Sequence, residues 1–304
     1  MKIATASQLP SPPLGKVGWP WIEEKQIAAS NFSEKADWPK ISIVTPSYNQ
    51  AQFIEDTIRS VLLQGYPNLE YIIIDGGSTD GSVEIIQKYA PWISYWVSEP
   101  DRGQSHAVNK GFQKSTGDIL AWLNSDDTYE PGALLKAASL FLNHADTDVL
   151  YGNAKITDIN GNQIGQICSV PFDPTAYLYA TLPIPAQSAV FWRRDIFFEV
   201  GMVNENMRYG MDAELIIKFI RARAKFRFQR HIFGTYRCHE LSKTFGSYEQ
   251  SRTETLKIPE LAALRAAPGY SIRRLPYRLR QFLLLLLQGD IIYMASRVLA
   301  RFNM

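Results

Sequence analysis

The stretch Ile119-Leu120-Ala121-Trp122-Leu123-Asn124-Ser125-Asp126-Asp127 decides the fold of this chain, because an apolar run leads directly into two acidic residues. A short apolar run bounded by polar residues is typical of a buried strand in a parallel sheet. Open α/β sheets bind ligands outside the carboxyl ends of their strands, and Asp126 and Asp127 follow such an end. Neighbouring carboxylates repel each other, so a partly buried pair needs a compensating positive charge. Mg²⁺ carrying a substrate phosphate meets that need. Alternatively, the pair followed by Pro131-Gly132 could form a turn that caps the next helix.

Strands and helices alternate on both sides of this stretch. Apolar runs predict strands at 41–45, 71–74 and 93–97, and apolar residues at helical spacing predict helices near 53–62, 83–89 and 103–114. We therefore predict an α/β fold with a mostly parallel central sheet, flanked by helices and joined by right-handed crossovers. Further along the chain we predict a helix at 132–142, a strand at 149–152, a β-hairpin at 154–167 with a type I′ turn at Asn160-Gly161, a strand at 187–192, a helix around 215–220 and a last strand at 226–233.

Composition excludes several classes of protein. The chain has 304 residues, 46% of them hydrophobic, and a net charge of +2 without a long basic stretch, so nucleic acid is not an expected partner. Only two cysteines occur, which excludes a disulfide scaffold and suits a reducing compartment. The segment 1–18 lacks the apolar core of a signal peptide. We therefore expect a cytoplasmic protein.

The chain divides into three predicted regions. Residues 1–40 form an arm rich in proline and tryptophan, which we expect to pack on the body. Residues 41–245 form the body, with 41–130 as its nucleotide-binding half and 131–245 as its acceptor half. Residues 246–304 form a helical extension whose apolar run at 282–287 is too short to cross a bilayer, which needs about 20 residues.

Two interpretations of the tail remain open. Four arginines lie just before the apolar run, and a second apolar stretch follows it at 291–299. The tail could be a helical pair packed on the body or on a second subunit. It could also be a basic amphipathic segment that contacts the anionic inner face of the membrane peripherally.

Polar residues after the first two strands are candidates for binding a nucleotide. The first strand leads into Pro46, Ser47 and Tyr48 without a Gly-x-Gly-x-x-Gly or Walker loop, which argues against hydride transfer and ATP hydrolysis. An aromatic ring and small polar groups there would suit stacking on a flat base, although they could also form a plain turn. The second strand leads into Asp75 and a glycine-containing loop, where Asp75 could accept hydrogen bonds from a ribose or a base. For Ser78 and Asp80 we favour helix capping.

Five segments in one fixed order carry a family resemblance: Thr45-Pro46-Ser47-Tyr48-Asn49, Asp75-Gly76-Gly77-Ser78-Thr79-Asp80-Gly81, Asp101-Arg102-Gly103-Gln104-Ser105, Gly117-Asp118 and Asn124-Ser125-Asp126-Asp127. Together they resemble the family 2 inverting glycosyltransferases, which have the GT-A fold. The resemblance covers about residues 40 to 245.

This resemblance implies roles for the nucleotide-binding residues. Asp127 would ligate Mg²⁺ or Mn²⁺, and Asp126 would contact the ribose or reach the metal through water. The segment from Pro46 through Ser47 to Tyr48, together with Asp75, would line the base pocket. Many members carry Asp-Asp-x-Ser at the second strand, with the second aspartate reading uracil, whereas Gly76 occupies that place here.

The resemblance also implies residues for the diphosphate and the acceptor. Arg102 and the helix after it could neutralise a diphosphate, with Asn109 in the segment that the family uses near the donor; Arg102 could equally be a surface arginine. Asp212 aligns with the catalytic base, although Met211 replaces the usual acidic neighbour, and helix N-capping is its alternative role. His239 lies in a loop like one found in many members and would be a metal ligand, or otherwise a surface residue.

The predicted activity is inverting transfer of a sugar from a nucleotide-diphospho-sugar, with a UDP-sugar favoured, to a hydroxyl group of a glycan or lipid-linked acceptor. Surface polysaccharide or glycolipid synthesis is the expected setting. A sugar-phosphate nucleotidyltransferase is one alternative, but it would need a basic, glycine-rich loop after the first strand. A non-catalytic nucleotide-sugar-binding module is another, which the presence of both the acidic pair and Asp212 disfavours.

Overall fold

The computed structural model describes residues 3–22, 37–180, 185–240, 242 and 248–290. The strands are β1 (Ile41–Ser47), β2 (Leu69–Asp75), β3 (Tyr95–Ser98), β4 (Ile119–Trp122), β5 (Val149–Thr157), β6 (Gln163–Ile167), β7 (Val190–Arg193) and β8 (Phe226–Arg237). The helices of the body are α1 (Ile54–Leu62), α2 (Ser82–Tyr89), α3 (Gln104–Lys114), α4 (Ala133–Asn143), α5 (Pro174–Ala180), α6 (Arg194–Glu199) and α7 (Met211–Arg221). The extension contains α8 (Tyr248–Leu256), α9 (Pro259–Ala266), α10 (Tyr270–Arg273) and α11 (Leu275–Leu287).

These strands form one sheet in the order β3-β2-β1-β4-β7-β5-β6, with β8 paired to β5. Strand β1 runs parallel to β2 and β4, and β2 runs parallel to β3. Helices α1, α2 and α3 lie between these strands in the sequence, as parallel connections require. The predicted α/β architecture is confirmed, and the carboxyl ends of β1, β2 and β4 lie at one edge of the sheet.

The second half of the sheet is mixed. Strand β7 is antiparallel to both β4 and β5, so β5 regains the direction of β4, and β8 runs parallel to β5. The apolar pattern predicts a strand over 187–192. The structure has a turn of 3₁₀ helix at Gln187–Ala189, and β7 begins only at Val190. Strand β8 continues four residues beyond its predicted end, because its register with β5 extends to the pair Thr157 and Arg237.

The predicted hairpin is present, but its turn is different. Strands β5 and β6 pair antiparallel from Ala154 with Ile167 onwards. A type I′ turn needs positive φ at both central residues, whereas in the pair Asn160-Gly161 only Gly161 has one, at 88°. The Asp158 carboxylate accepts hydrogen bonds from the main-chain amides of Asn160 and Asn162. This side-chain contact stabilises a longer loop in place of the two-residue turn.

Two apolar clusters cover the two faces of the sheet. Alternate residues of each strand belong to different clusters, as in β1, where Ile43 joins one cluster and Val44 the other. Two buried residues of the extension, Ile258 and Leu261, belong to the same cluster as Trp192 of β7. The first helices of the extension therefore share a core with the body.

The described part of the arm, residues 3–22, also packs on the body as predicted. The fully buried Arg59 of α1 donates hydrogen bonds to the main-chain carbonyls of Pro10, Pro20 and Trp21 at 2.9–3.1 Å. Trp19 donates its indole N–H to the carbonyl of Tyr129 at 2.9 Å. A buried guanidinium group thus satisfies arm carbonyls that would otherwise lack partners.

The tail presents one side to the body and the other to solvent. Tyr277 of α11 stacks on Tyr179 of α5, with ring centroids 5.3 Å apart, and Leu285 is buried. The predicted second apolar stretch, 291–299, lies outside the described residues. Among the helices that the structure describes, none is long and apolar enough to cross a membrane.

Candidate active site

Strand β8 supplies one wall of the site at the carboxyl edge of the sheet. The segment after the acidic pair runs alongside the end of β8: Thr235 donates its amide to the carbonyl of Thr128 at 2.8 Å, and Glu130 donates its amide to the carbonyl of Phe233 at 2.9 Å. This pairing brings the residues at the end of β8 next to Asp126 and Asp127. Main-chain hydrogen bonds here join residues that lie more than 100 positions apart in the sequence.

Asp127 is buried, and both oxygens of its carboxylate have hydrogen-bond partners. Its Oδ1 accepts a hydrogen bond from the Arg237 amide at 2.9 Å, and its Oδ2 lies 3.5 Å from the Asn124 side-chain nitrogen. Burial and the neighbouring charge of Asp126 raise the pKa of the Asp127 carboxyl well above its usual range. The Arg237 amide, the Arg237 charge and Asn124 favour the ionised form of Asp127, but burial and Asp126 outweigh them.

Asp126 contacts His239, the histidine that the family resemblance implies as a metal ligand. Its Oδ2 lies 3.0 Å from Nε2 of His239, whose side chain is almost completely buried. The imidazole ring packs against Phe53, with centroids 4.6 Å apart. The alternative that His239 is an ordinary surface residue is wrong, because its side chain is buried and contacts Asp126.

Arg237 connects the acidic pair to the rest of the molecule. Its Nε donates to the Asp126 carbonyl at 2.9 Å, and its Nη2 pairs with Asp56 of α1 at 3.0 Å. Both side chains of this ion pair are about 6% exposed. Arg237 therefore orients the acidic pair, and its positive charge acts on both Asp56 and Asp127.

The acidic pair fits a divalent ion that arrives with a phosphate. In the described ranges, no group of three or more His, Cys, Asp or Glu side chains is preformed around one ion position. Mg²⁺ and Mn²⁺ favour carboxylate oxygens, and Mg²⁺ at substrate phosphates needs only one or two of them. Asp126 and Asp127 supply carboxylate oxygens of this kind, and His239 lies next to Asp126.

Asp75 shapes the loop after β2. It is completely buried, and its carboxylate accepts hydrogen bonds from the amides of Gly77 and Ser78 and from the hydroxyls of Ser78 and Ser98, at 2.6–3.1 Å. These contacts use most of the acceptor capacity of a carboxylate. Its predicted contact with the base stays a prediction; the observed contacts support the loop.

Capping by the two polar residues of this loop is only partly found. Asp80 accepts the amide of Ser82, the first residue of α2, at 3.0 Å. Ser78 instead donates its hydroxyl to Asp75 and accepts the Asn49 amide at 2.7 Å. Ser78 therefore ties the loop after β2 to the loop after β1 and does not cap the helix.

The segment after β1 presents one large aromatic group. Pro46 and Ser47 belong to β1 and are buried, whereas Tyr48 is 62% exposed. The buried Ser47 hydroxyl has no hydrogen-bond partner among the described residues. An exposed ring beside an unpaired hydroxyl is consistent with the predicted base contact, which stays a prediction.

The residues predicted near the diphosphate form a network with Glu205. Arg102 pairs with this carboxylate, and Asn109 donates to it at 3.1 Å. Burial would raise the pKa of Glu205, but hydrogen bonds from Asn109 and Arg102 lower it below the usual value. Asn109 is buried and also exchanges two hydrogen bonds with the main chain of Val203. Its described contacts are structural, while the side chain of Arg102 is 71% exposed.

Asp212 is the second residue of α7. It keeps partial access to solvent, yet burial raises the pKa of its carboxyl above the usual range. Gly210 occupies the N-cap position of the helix, and the Asp212 carboxylate accepts hydrogen bonds from the amide of Ala213, at 2.8 Å, and from its own amide. The capping alternative for Asp212 is therefore not what the structure shows.

The sequence pattern did not reveal Glu254 of the extension, which binds the turn just before this helix. Its carboxylate accepts the amides of Arg208, Tyr209 and Gly210, at 2.5–2.9 Å. A Cβ atom on Gly210 would lie 2.6 Å from the Thr255 hydroxyl, so α8 approaches the start of α7 closely. No local pattern marks Glu254, because its partners lie more than 40 residues earlier.

Comparison with known proteins identifies the family of this chain. The sequence model of glycosyl transferase family 2 matches residues 42–199, which is just over half of the chain. The chain belongs to glycosyltransferase family 2. The matched region contains β1 to β7 and the acidic pair of this family 2 glycosyltransferase.

Two relatives are similar in sequence to part of this family 2 glycosyltransferase. A Mycobacterium tuberculosis glycosyltransferase is 28% identical over 189 residues, covering 59% of this chain and 68% of its own. TuaG of Bacillus subtilis, named for teichuronic acid biosynthesis, is 41% identical over 101 residues, covering 32% of this chain and 40% of its own. This chain thus spans well under half of some relatives that it matches.

Solved structures show the same GT-A fold. S. aureus TarS, in a crystal structure with UDP-GlcNAc, has a TM-score of 0.54 at 19% identity over 72% of this chain and 67% of its own. The mannosyltransferase PcManGT of Pyrobaculum calidifontis, in complex with GDP-Man and Mn²⁺, has a TM-score of 0.56 at 17% identity over 88% and 84%. The predicted fold class is confirmed.

Proposed function

We propose that this protein is an inverting glycosyltransferase that moves a sugar from a UDP-sugar to a hydroxyl group of a glycan or lipid-linked acceptor. Surface polysaccharide or glycolipid synthesis is the proposed setting, in line with the name of TuaG. The observation that carries the proposal is the acidic pair Asp126 and Asp127, held at the carboxyl edge of the sheet by the Arg237 amide and by His239. UDP-GlcNAc bound to TarS supports the choice of donor class.

Asp127, Asp126 and His239 would hold Mg²⁺ or Mn²⁺. When bound, the ion supplies positive charge that stabilises a departing nucleoside diphosphate. The Mn²⁺ in the PcManGT complex supports this assignment. The Arg237 amide fixes Asp127, and the Phe53 ring fixes His239, so the donor atoms are pre-positioned.

Asp212 is the proposed general base. A carboxylate that removes a proton from an acceptor hydroxyl must lie within hydrogen-bond reach of it, and a raised pKa makes it a stronger base. Glu254 fixes the start of α7 and so holds Asp212 in place. Direct attack by the acceptor on the anomeric carbon breaks the bond to the diphosphate in one step and inverts the anomeric configuration.

Arg102 is proposed to bind the diphosphate together with the amino end of α3. Its exposed guanidinium group can leave Glu205 and form hydrogen bonds to phosphate oxygens. Tyr48 and the loops after β1 and β2 form the proposed base pocket. The acceptor half contributes α7 and the strands β5 to β8.

A peripheral contact of α11 with an anionic membrane is also proposed. Large apolar side chains along one side of this helix are about half exposed or more: Leu275, Leu279, Phe282, Leu283 and Leu286. The segment 270–290 contains four arginines and one acidic residue. Two copies of such a basic surface would repel each other, whereas an anionic bilayer would attract it.

Product analysis with and without metal tests the activity. Candidate UDP-sugars are incubated with Mn²⁺, and release of UDP is followed with and without acceptor glycans, with NMR reading the anomeric configuration of the product. Asp127→Asn and Asp212→Asn should both lose transfer, while Asp146→Asn, a change at an exposed carboxylate, should keep it. Full transfer by Asp127→Asn in the presence of a chelator would refute the proposal.

Vesicle sedimentation tests the membrane contact. Full-length protein should sediment with phosphatidylglycerol vesicles at low salt and not with phosphatidylcholine vesicles. Leu279→Gln combined with Leu283→Gln should abolish sedimentation. Equal binding to both lipids, or a dimer that these substitutions dissociate, would overturn the membrane assignment.

A further inference from the structure

The position where many family members carry a base-reading aspartate is closed in this protein. A Cβ atom on Gly76 would lie 2.9 Å from Oδ2 of Asp101 and 3.3 Å from the ring of Tyr48. The backbone of Gly76 does not have a positive φ, so conformation does not require glycine there. The obstacle is the carboxylate of Asp101, which fills the space that a side chain at position 76 would take.

Asp101 reaches this position from a different loop. It lies between β3 and α3, and the loop after β2 packs on the same segment: a Cβ atom on Gly77 would lie 3.4 Å from the Pro100 nitrogen. Gly76 itself is fixed to β1 by a hydrogen bond of 2.8 Å from its amide to the carbonyl of Ser47. The two loops and the end of β1 therefore meet at one point.

The carboxylate of Asp101 has a fixed orientation with one free oxygen. Its Oδ1 accepts the amide of Gly103 at 2.7 Å. Its Oδ2 accepts no hydrogen bond from any residue that the structure describes, and Asp101 retains partial exposure. This oxygen and the exposed ring of Tyr48 flank Gly76, so a flat ligand on the ring would have an acceptor at its edge.

A fixed carboxylate oxygen discriminates between nucleobases. Ionised carboxylates only accept hydrogen bonds, so they favour bases whose ring carries an N–H group on the pairing edge. Uracil and guanine have such a group, whereas cytosine and adenine present an unprotonated ring nitrogen there and would leave the carboxylate facing a lone pair. An unpaired buried polar group costs enough free energy to reject the wrong base.

Resting on the proposed function, we infer that Asp101 is the base-reading residue of this enzyme. Its Oδ2 accepts the ring N–H of uracil or guanine stacked on Tyr48, and so takes over the role of the aspartate that Gly76 replaces. The recognition carboxylate has moved from the loop after β2 to the loop after β3. Glycine at position 76 is then required by the carboxylate at 101.

Titration calorimetry of nucleotides in the presence of Mn²⁺ tests this inference. The wild-type protein should bind UDP or GDP at least about tenfold more tightly than CDP and ADP. In Asp101→Asn, the Gly103 amide keeps the side-chain oxygen in place and directs the NH₂ group at the base. This variant should therefore lose UDP or GDP affinity and gain CDP affinity.

Two further variants make the test specific. Asp101→Ser keeps an acceptor for the Gly103 amide but removes the free oxygen, so the preference between UDP and CDP should collapse. Adding Gly76→Asp to Asp101→Ser places a carboxylate back at the space between the loops and should restore the preference. Asp146→Asn is the control and should bind as the wild type does.

The outcomes separate this inference from the proposed function. An unchanged ratio of UDP to CDP affinity in both Asp101→Asn and Asp101→Ser would overturn the role of Asp101, while binding of UDP with Mn²⁺ would leave the proposed function standing. If the wild-type protein binds none of the four nucleotides with Mn²⁺, both are overturned.

Discussion

The main-chain amide of Arg237 donates a hydrogen bond of 2.9 Å to Oδ1 of Asp127, across 110 residues of sequence. The side chain of the same arginine bonds the carbonyl of Asp126 and pairs with Asp56. One residue at the end of β8 thus fixes both members of the acidic pair to helix α1. The geometry of the site depends on this strand as much as on β4, which leads into the pair.

Substitution of Asp127 should separate stability from ion binding. Because burial and Asp126 raise its pKa in the folded protein, ionised Asp127 lowers the free energy of unfolding as pH rises above about 4, the usual range for aspartate. Without metal near neutral pH, Asp127→Asn should therefore melt at a higher temperature than the wild type. UDP with Mn²⁺ should raise the melting temperature of the wild type only.

Thermal melts with and without UDP and Mn²⁺ measure both effects. Asp146→Asn serves as the control, because its carboxylate is exposed and should change neither quantity. A full increase in melting temperature with UDP and Mn²⁺ in Asp127→Asn would contradict the assignment of Asp127 as an ion ligand.

Asp212 should set the acid limb of the pH–rate profile. A general base must be ionised, so kcat/KM should rise with pH, and burial places the midpoint above the usual range for aspartate. Asp212→Asn should lower kcat by about a hundredfold or more, since general base catalysis contributes that much. Donor affinity should persist in this variant.

Stability gives a second test at Asp212. A raised pKa means that the ionised form is disfavoured in the folded protein, so Asp212→Asn should be at least as stable as the wild type near neutral pH. Glu214→Gln, which changes an acid of the same helix that pairs with Lys218, should keep most of the activity. An acid limb in the pH–rate profile of Asp212→Asn identical to that of the wild type would refute the assignment.

Loss of the Arg237 side chain should destabilise the protein. Arg237→Ala removes the buried cation beside Asp56 and leaves only the half-exposed Lys16, at 3.1 Å, so the loss should be below the about 3–5 kcal/mol of an unpaired buried charge. Adding Asp56→Ala should recover part of this loss, and the double-mutant cycle in urea gives the coupling. Arg230→Ala is the control on the same strand: the Arg230 side chain that pairs with Asp290 is 55% exposed, and such a pair is worth about 1 kcal/mol or less. Strictly additive losses would argue against the pair.

Glu254 should act on catalysis through the position of α7. Glu254→Ala removes the acceptor of three consecutive amides just before Asp212. Loss of a charge-assisted hydrogen bond costs about 1.5–3 kcal/mol in stability, and kcat should fall while donor affinity stays unchanged. Glu254→Gln should recover part of kcat. Glu249→Ala, an exposed change on the same helix, is the control, and an equal fall in kcat there would show an unspecific effect of α8.

Local patterns were sufficient for the first half of the molecule. Apolar runs and helical spacing predicted β1 to β4 and their helices, because β1, β2 and β4 are fully buried and each of the four strands is followed by a helix. The acidic pair was visible because it directly follows the apolar run of β4. The second half was less regular: the insertion of β7 antiparallel between β4 and β5 has no local signature.

Several side chains had roles that no local pattern could give. Asn109 was predicted near the donor, yet its amide holds the main chain of Val203. Glu254 had no predicted role, and the contacts of Arg237 with both members of the acidic pair could not be read from the sequence. In each case the partner lies more than 40 residues away, so only the packed chain defines the contact.

By itself, the sequence determined the alternation of strands and helices, the acidic pair at a strand end and the family, because these depend on residue type and short-range spacing. The tertiary structure alone decided which groups complete the site: Arg237 and His239 beside the pair, Glu254 under α7, and Asp101 in the space left by Gly76. The physical reason is that hydrogen bonds and charges act over a few ångströms, whatever the separation along the chain.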